Sequence, residues 1–101
     1  MNFIDRNHYH KTIDENEMVL VCLWASWCSG CKRNVSVLKR MTIDSPVKLF
    51  FINWDENKAF LKKQQIFGLP MLLVYRDGQL KKRLSGILAP ADSCFILSEF
   101  E

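Results

Sequence analysis

The 101-residue chain has four glycines and three prolines, and it has no repeat or low-complexity stretch. That rules out a collagen-like, linker-rich or low-complexity protein. Long hydrophobic runs are missing too. The longest, Met18 to Ala25, has eight residues, whereas a membrane-spanning helix needs about twenty. The start, Met1-Asn2-Phe3-Ile4-Asp5-Arg6-Asn7-His8, lacks the basic opening and apolar stretch of a secretory signal. A cytoplasmic protein is expected, with no membrane partner, unless a leader has been removed. Charge of one sign is also not in large excess: the formal net charge is +3. Its basic pairs (Lys32-Arg33, Lys39-Arg40, Lys62-Lys63) and the run Lys81-Lys82-Arg83 are scattered, with acidic residues between them. A nucleic-acid binder would gather them on one face, so no nucleic-acid partner is expected. Cysteine, with four residues, is too sparse for a disulfide-stapled secreted domain.

What is present is the composition of an ordinary globular protein, 49% hydrophobic and 25% charged. A chain of this length forms one domain, here residues 1–101, and buries roughly two-thirds of its unfolded surface. Residues 5–14 read as a polar helix with Tyr9 and Ile13 on one face. Residues 18–25 are continuously apolar and β-rich, which suits a strand buried on both faces of a parallel sheet. Residues 29–43 carry Cys31, Val35, Leu38 and Met41 at helical spacing. Residues 47–54 read as a second buried strand. Asp55 is placed to cap a helix over 56–66, with Phe60 and Phe67 inward. Strands 71–76 and 79–84 meet at Asp77-Gly78, a pair that accepts the positive φ angles of a tight hairpin turn. Lys81, Lys82 and Arg83 then blunt an exposed sheet edge. Pro90 opens a last helix over 91–100, and a very short strand is expected at Asn2–Ile4. Alternating strands and helices predict parallel pairing with right-handed crossovers, and the closing hairpin adds antiparallel strands at one side.

The chemistry concentrates at one corner, Trp24-Ala25-Ser26-Trp27-Cys28-Ser29-Gly30-Cys31-Lys32. A buried strand ends there and a helix begins. Cys28 falls at the helix N-terminus, where free N–H groups and the positive end of the dipole favour a thiolate. The thiolate is the attacking species in disulfide exchange. Cys31 lies one turn on, close enough to close a ring with Cys28. Two blander readings stay open at this point. A zinc site needs four ligands, commonly two close pairs, but only one pair is present and His8 and His10 belong to the first helix. The pair could also be inert core thiols, against which stands its surface corner beside Trp27.

The run Leu-Val-x-Leu-Trp-Ala followed by Trp-Cys-x-x-Cys-Lys resembles the active-site segment of the thioredoxin family. Asn53-Trp54-Asp55-Glu56-Asn57 resembles that family's third-strand exit. Phe67-Gly68-Leu69-Pro70-Met71 through Asp77-Gly78 resembles its Gly-x-Pro-Thr segment and hairpin, and Gly86 falls where the family keeps a glycine. The resemblance covers nearly the whole chain in the right order. It implies an α/β thioredoxin fold: a central mixed sheet of four to five strands flanked by helices on both faces. It also implies a protein-disulfide reductase with Cys28 as nucleophile and Cys31 as resolving thiol. Pro70 would follow a cis bond beside the cysteine pair, the Leu69 backbone would pair with an extended substrate, and Trp27 would join the docking surface. No cofactor or metal is implied beyond the Cys28–Cys31 disulfide. The implied partners are disulfide-containing proteins and a recycling reductase such as a thioredoxin reductase, the chain itself being a monomer.

The chain departs from the family pattern at several places. Ser29-Gly30 replaces Gly-Pro between the cysteines, so an altered redox potential is expected. The family's buried aspartate, which helps take the proton of the resolving cysteine, aligns with Cys22. The lysine near that acid aligns with Phe51. Both members of a buried charged pair are thus apolar here, which avoids leaving one of them alone and unpaired. The helix-kinking proline aligns with Ser36, and Met71 replaces a threonine. Cys22 is read as a small buried hydrophobe or, alternatively, as a thiol near Cys31 that modulates it along with Ser29 and Gly30. Cys94 is read as a core or half-buried thiol, Trp54 as packing, and Met18, Met41 and Met71 as core filler. Because the aspartate is missing, a rival function remains: a redox-slow binding module of the same fold that holds a protein on its Trp27–Pro70 surface. A glutathione-linked glutaredoxin fits less well, because its pair lacks the preceding tryptophan.

Overall fold

A computed structural model describes residues 1–100. Five strands form one mixed sheet in the order β1-β3-β2-β4-β5. They are β1 (Phe3–Ile4), β2 (Met18–Trp24), β3 (Lys48–Asn53), β4 (Met71–Arg76) and β5 (Gln79–Ser85). The helices are α1 (Tyr9–Glu15), α2 (Ser29–Thr42), α3 (Lys58–Lys63) and α4 (Asp92–Leu97), the last running into a 3₁₀ turn at Ser98–Phe100. β1, β3 and β2 pair in parallel, while β4 and β5 run antiparallel to them as a closing hairpin. This is the thioredoxin fold.

β2 explains the architecture. Its residues from Val19 to Leu23 are all fully buried, so it must be covered on both faces. Val19, Val21 and Leu23 point into a core with Tyr9 and Ile13 of α1 and Leu61 of α3. Leu20 and Cys22 point the other way, into a core with Leu38 of α2 and Ile96 of α4. Each such aliphatic side chain contributes about 1.5–3 kcal/mol on burial. The hairpin turns at Asp77 and Gly78, at φ 52° and 80°, as an Asp-Gly pair permits.

Several expected boundaries and contacts need correction. α1 begins at Tyr9 rather than residue 5, because the Asp5 carboxylate accepts the N–H groups of Asn7 and His8 and holds a turn ahead of the helix. The N-cap of α3 is Asn57 and not Asp55; Asp55 is engaged elsewhere. α3 stops at Lys63, and Gln65 then takes φ 61°. Phe67 therefore lies beyond the helix and is 70% exposed instead of inward. Cys94 is also exposed, since α4 buries Ile96 and turns Cys94 and Phe95 outward. Trp54 is buried against the first core, and the half-buried Met18, Met41 and Met71 pack against the two cores. α2 runs unbroken through Ser36.

Candidate active site

β2 ends at Trp24, the chain turns through Ala25–Trp27, and α2 starts at Ser29. Cys28 is the N-cap of α2, with extended backbone, and its Sγ accepts the Cys31 N–H at 3.1 Å. That is the capping position, where a side chain satisfies one of the orphan donors of the first turn. The geometry favours negative charge on this sulfur through the hydrogen bond and the helix dipole. Cys28 and Cys31 are joined as a disulfide. Cys31 is fully buried, whereas Cys28 keeps 7% exposure. A partner arriving from solvent meets Cys28 first and can reach Cys31 only through it.

The surroundings of the pair come from three other segments. The Leu69–Pro70 peptide bond is cis. Pro70 sits against the turn between the cysteines: a side-chain carbon placed on Gly30 would fall 3.0 Å from Pro70 Cγ. Trp27 is 64% exposed, and its indole N–H donates to the Asp55 carboxylate at 2.8 Å. Asp55 lies two residues ahead of Asn57, the N-cap of α3, and is tied to this corner instead. The bond fixes the ring of a tryptophan that would otherwise turn freely in solvent. Phe67, exposed as noted, precedes the Gly68-Leu69-Pro70 segment, and Ile87, which follows Gly86, meets Gly30 alongside Pro70. Pro70 and Ile87 thus flank the turn between the cysteines, and Trp27 and Ile87 are open to solvent.

Cys22 belongs to the second core, whereas the cysteine pair packs with the first. It lies in the middle of β2, in register with Phe51 of β3, and both side chains belong to the second core. Its thiol donates to the Leu23 carbonyl, and burial pushes its pKa up to about 12. Cys22 is a fully buried side chain of that core, and Cys28 and Cys31 close the first core. The two positions aligned with the family's charged pair are therefore cross-strand neighbours, and both are apolar. Among the described residues no group of three or more His, Cys, Asp or Glu could hold a metal ion.

Sequence reasoning missed Asn34. It is buried on α2, three residues after Cys31, and its amide bonds the backbone at Gly86 and Leu88. The signal was available: an asparagine stands in the apolar stripe of Cys31, Val35 and Leu38. A polar residue in such a stripe must find partners, but their location is not local information.

Known proteins carry the same layout. The chain matches the family model described as Thioredoxin over residues 1–93. It is 27% identical over 88 residues to a thioredoxin of Rickettsia bellii, covering 85% of this chain and 84% of that protein. It is 32% identical over 84 residues to a thioredoxin of Mycobacterium bovis, covering 81% and 72%. A mutant thioredoxin from Halobacterium salinarum superposes with a TM-score of 0.89 at 22% identity, over 99% of this chain and 90% of that one.

Proposed function

Because the chain belongs to the thioredoxin family, we propose that this thiol–disulfide oxidoreductase reduces protein disulfides, with Cys28 attacking and Cys31 resolving. The observation that carries the assignment of roles is the position of Cys28. It is the solvent-reachable member of the pair and caps α2, while Cys31 lies buried behind it.

The steps follow from that arrangement. In the reduced chain the Cys28 thiolate attacks one sulfur of a target disulfide. A Cys28–target disulfide forms and one target thiol leaves. Cys31, losing its proton, attacks Cys28 Sγ, and the second target thiol leaves. Two electrons and two protons pass to the target, and the chain is left with the Cys28–Cys31 disulfide. A dithiol reductase such as a thioredoxin reductase returns it to the reduced form. Leu69 supports docking of an extended segment, since its N–H and C=O have no partner among the described residues. Trp27 and Pro70 complete the surface on which that segment lies. Ser29 and Gly30 between the cysteines set the redox potential.

The protein needs no cofactor beyond its own disulfide. It works as one domain and as a monomer, in the cytoplasm, where the prevailing thiol pool suits the reducing direction. Reduction of insulin by dithiothreitol, followed by turbidity, tests this reading. The wild-type chain accelerates the reaction and Cys28→Ser does not. No acceleration by wild type over that variant would favour the rival, a protein-binding module with a redox-slow pair.

A further inference from the structure

Asn34 links the helix of the cysteine pair to a segment far away in sequence. Its side-chain N–H donates to the Gly86 carbonyl at 3.1 Å, and its carbonyl oxygen accepts the Leu88 N–H at 2.8 Å. An amide 1% exposed is stable only with such partners. Gly86 is held from the other side as well, since its N–H donates to the Pro70 carbonyl at 3.0 Å. Its φ of 90° is one that glycine adopts without strain. The segment Gly86–Leu88 is therefore clamped between Pro70 and α2.

Ile87 sits between the two clamped residues and is 56% exposed. It is not remote from the cysteines: a side-chain carbon on Gly30 would fall 3.2 Å from Ile87 Cγ1. Ile87 thus stands as an apolar wall at the turn between Cys28 and Cys31, alongside Pro70. Nothing else about its own side chain fixes it there; the backbone on either side of it does. A wall already immobilised costs little ordering entropy when a polypeptide docks against it.

We propose that Asn34 is a positioning residue for the protein substrate: its amide clamp holds Gly86–Leu88 so that Ile87 forms a fixed part of the docking surface at the turn between Cys28 and Cys31. The inference rests on the reductase reading above. Asn34 touches no reacting sulfur, so it acts on how a polypeptide is held and not on thiol reactivity. A small disulfide that needs no wall is indifferent to it.

Asn34→Leu keeps the volume and leaves the Gly86 carbonyl and Leu88 N–H unpaired. Steady-state reduction of insulin and the bimolecular rate with the small aromatic disulfide DTNB are measured side by side. The expected result is a KM for insulin raised about tenfold, with kcat and the DTNB rate unchanged. Ile87→Ala leaves the clamp intact and removes the wall; it raises KM for insulin in the same way, and carries the test if Asn34→Leu does not fold. An unchanged insulin KM in Ile87→Ala, or in a folded Asn34→Leu, overturns the inference alone. So does an equal loss on both substrates in Asn34→Leu, because that is what a merely structural role would give. A wild-type chain that reduces neither disulfide would overturn the reductase reading and the inference with it.

Discussion

Cys22 and Cys28 stand six residues apart on one stretch of chain, yet their surroundings give them opposite chemistry. Cys22 is in mid-strand, sealed between sheet and helices, and burial pushes its thiol up to about 12. Cys28 is just past the strand end, where its sulfur meets a helix N–H and the edge of solvent. The side chain is the same in both places. What differs is whether the backbone around it offers charge stabilisation or only hydrocarbon. A cysteine count, or even a close pair, says less about reactivity than whether a thiol falls inside a strand or at the start of a helix.

Serine exchange separates the two sites by the widest margin. Cys28→Ser reduces insulin turnover to the uncatalysed background, whereas Cys22→Ser retains catalysis; loss of turnover in Cys22→Ser would break the comparison.

Cys22→Asp asks what the second site does to a charge. An unpaired buried carboxylate there lowers stability by about 3–5 kcal/mol. The folded chain holds the added proton to higher pH than the unfolded chain does. Stability therefore falls as pH rises above the ordinary carboxylate range, and urea denaturation at pH 5 and pH 8 measures the difference. Adding Phe51→Lys, directly across in register, recovers part of the loss in a double-mutant cycle. If Cys22→Asp also speeds the resolving step in single-turnover reduction, proton transfer from Cys31 is what the missing acid would have served.

The smallest effect comes from Cys22 itself. Its folded pKa is raised from 9.0 to about 12, so the folded state keeps a proton that the unfolded state gives up. Stability declines as pH rises through that window. Tyr9, also raised by burial, adds to the decline only at the upper end. Denaturation of Cys22→Ala at pH 9 and pH 10.5 shows a shallower fall than wild type; an identical fall would place the cause elsewhere.

Much of the molecule was readable from local pattern. The eight apolar residues at 18–25 demanded two covered faces, the Asp-Gly pair marked the hairpin, and the cysteine pair fell where a strand pattern gave way to a helical one. The structure departs from local pattern where an element ends early or a residue's partner is distant. Asp55 has the residue type of a cap, but the helix starts later, at Lys58, and the Asp55 carboxylate instead meets the Trp27 indole across 28 residues. Phe67 looked inward by helical spacing, but the helix ends four residues before it. Cys94 looked half-buried, but only Ile96 of α4 turns fully inward. Asn34 bonds backbone 52 and 54 residues away, and no pattern of spacing reports such a contact.

The division of labour between Cys28 and Cys31 is tested most directly by trapping. Cys31→Ser, reduced and mixed with insulin, should accumulate a mixed disulfide whose peptide map places the bond on Cys28, while Cys28→Ser accumulates none. A stable adduct through Cys31 in Cys28→Ser, at a rate comparable to that through Cys28, would contradict the account.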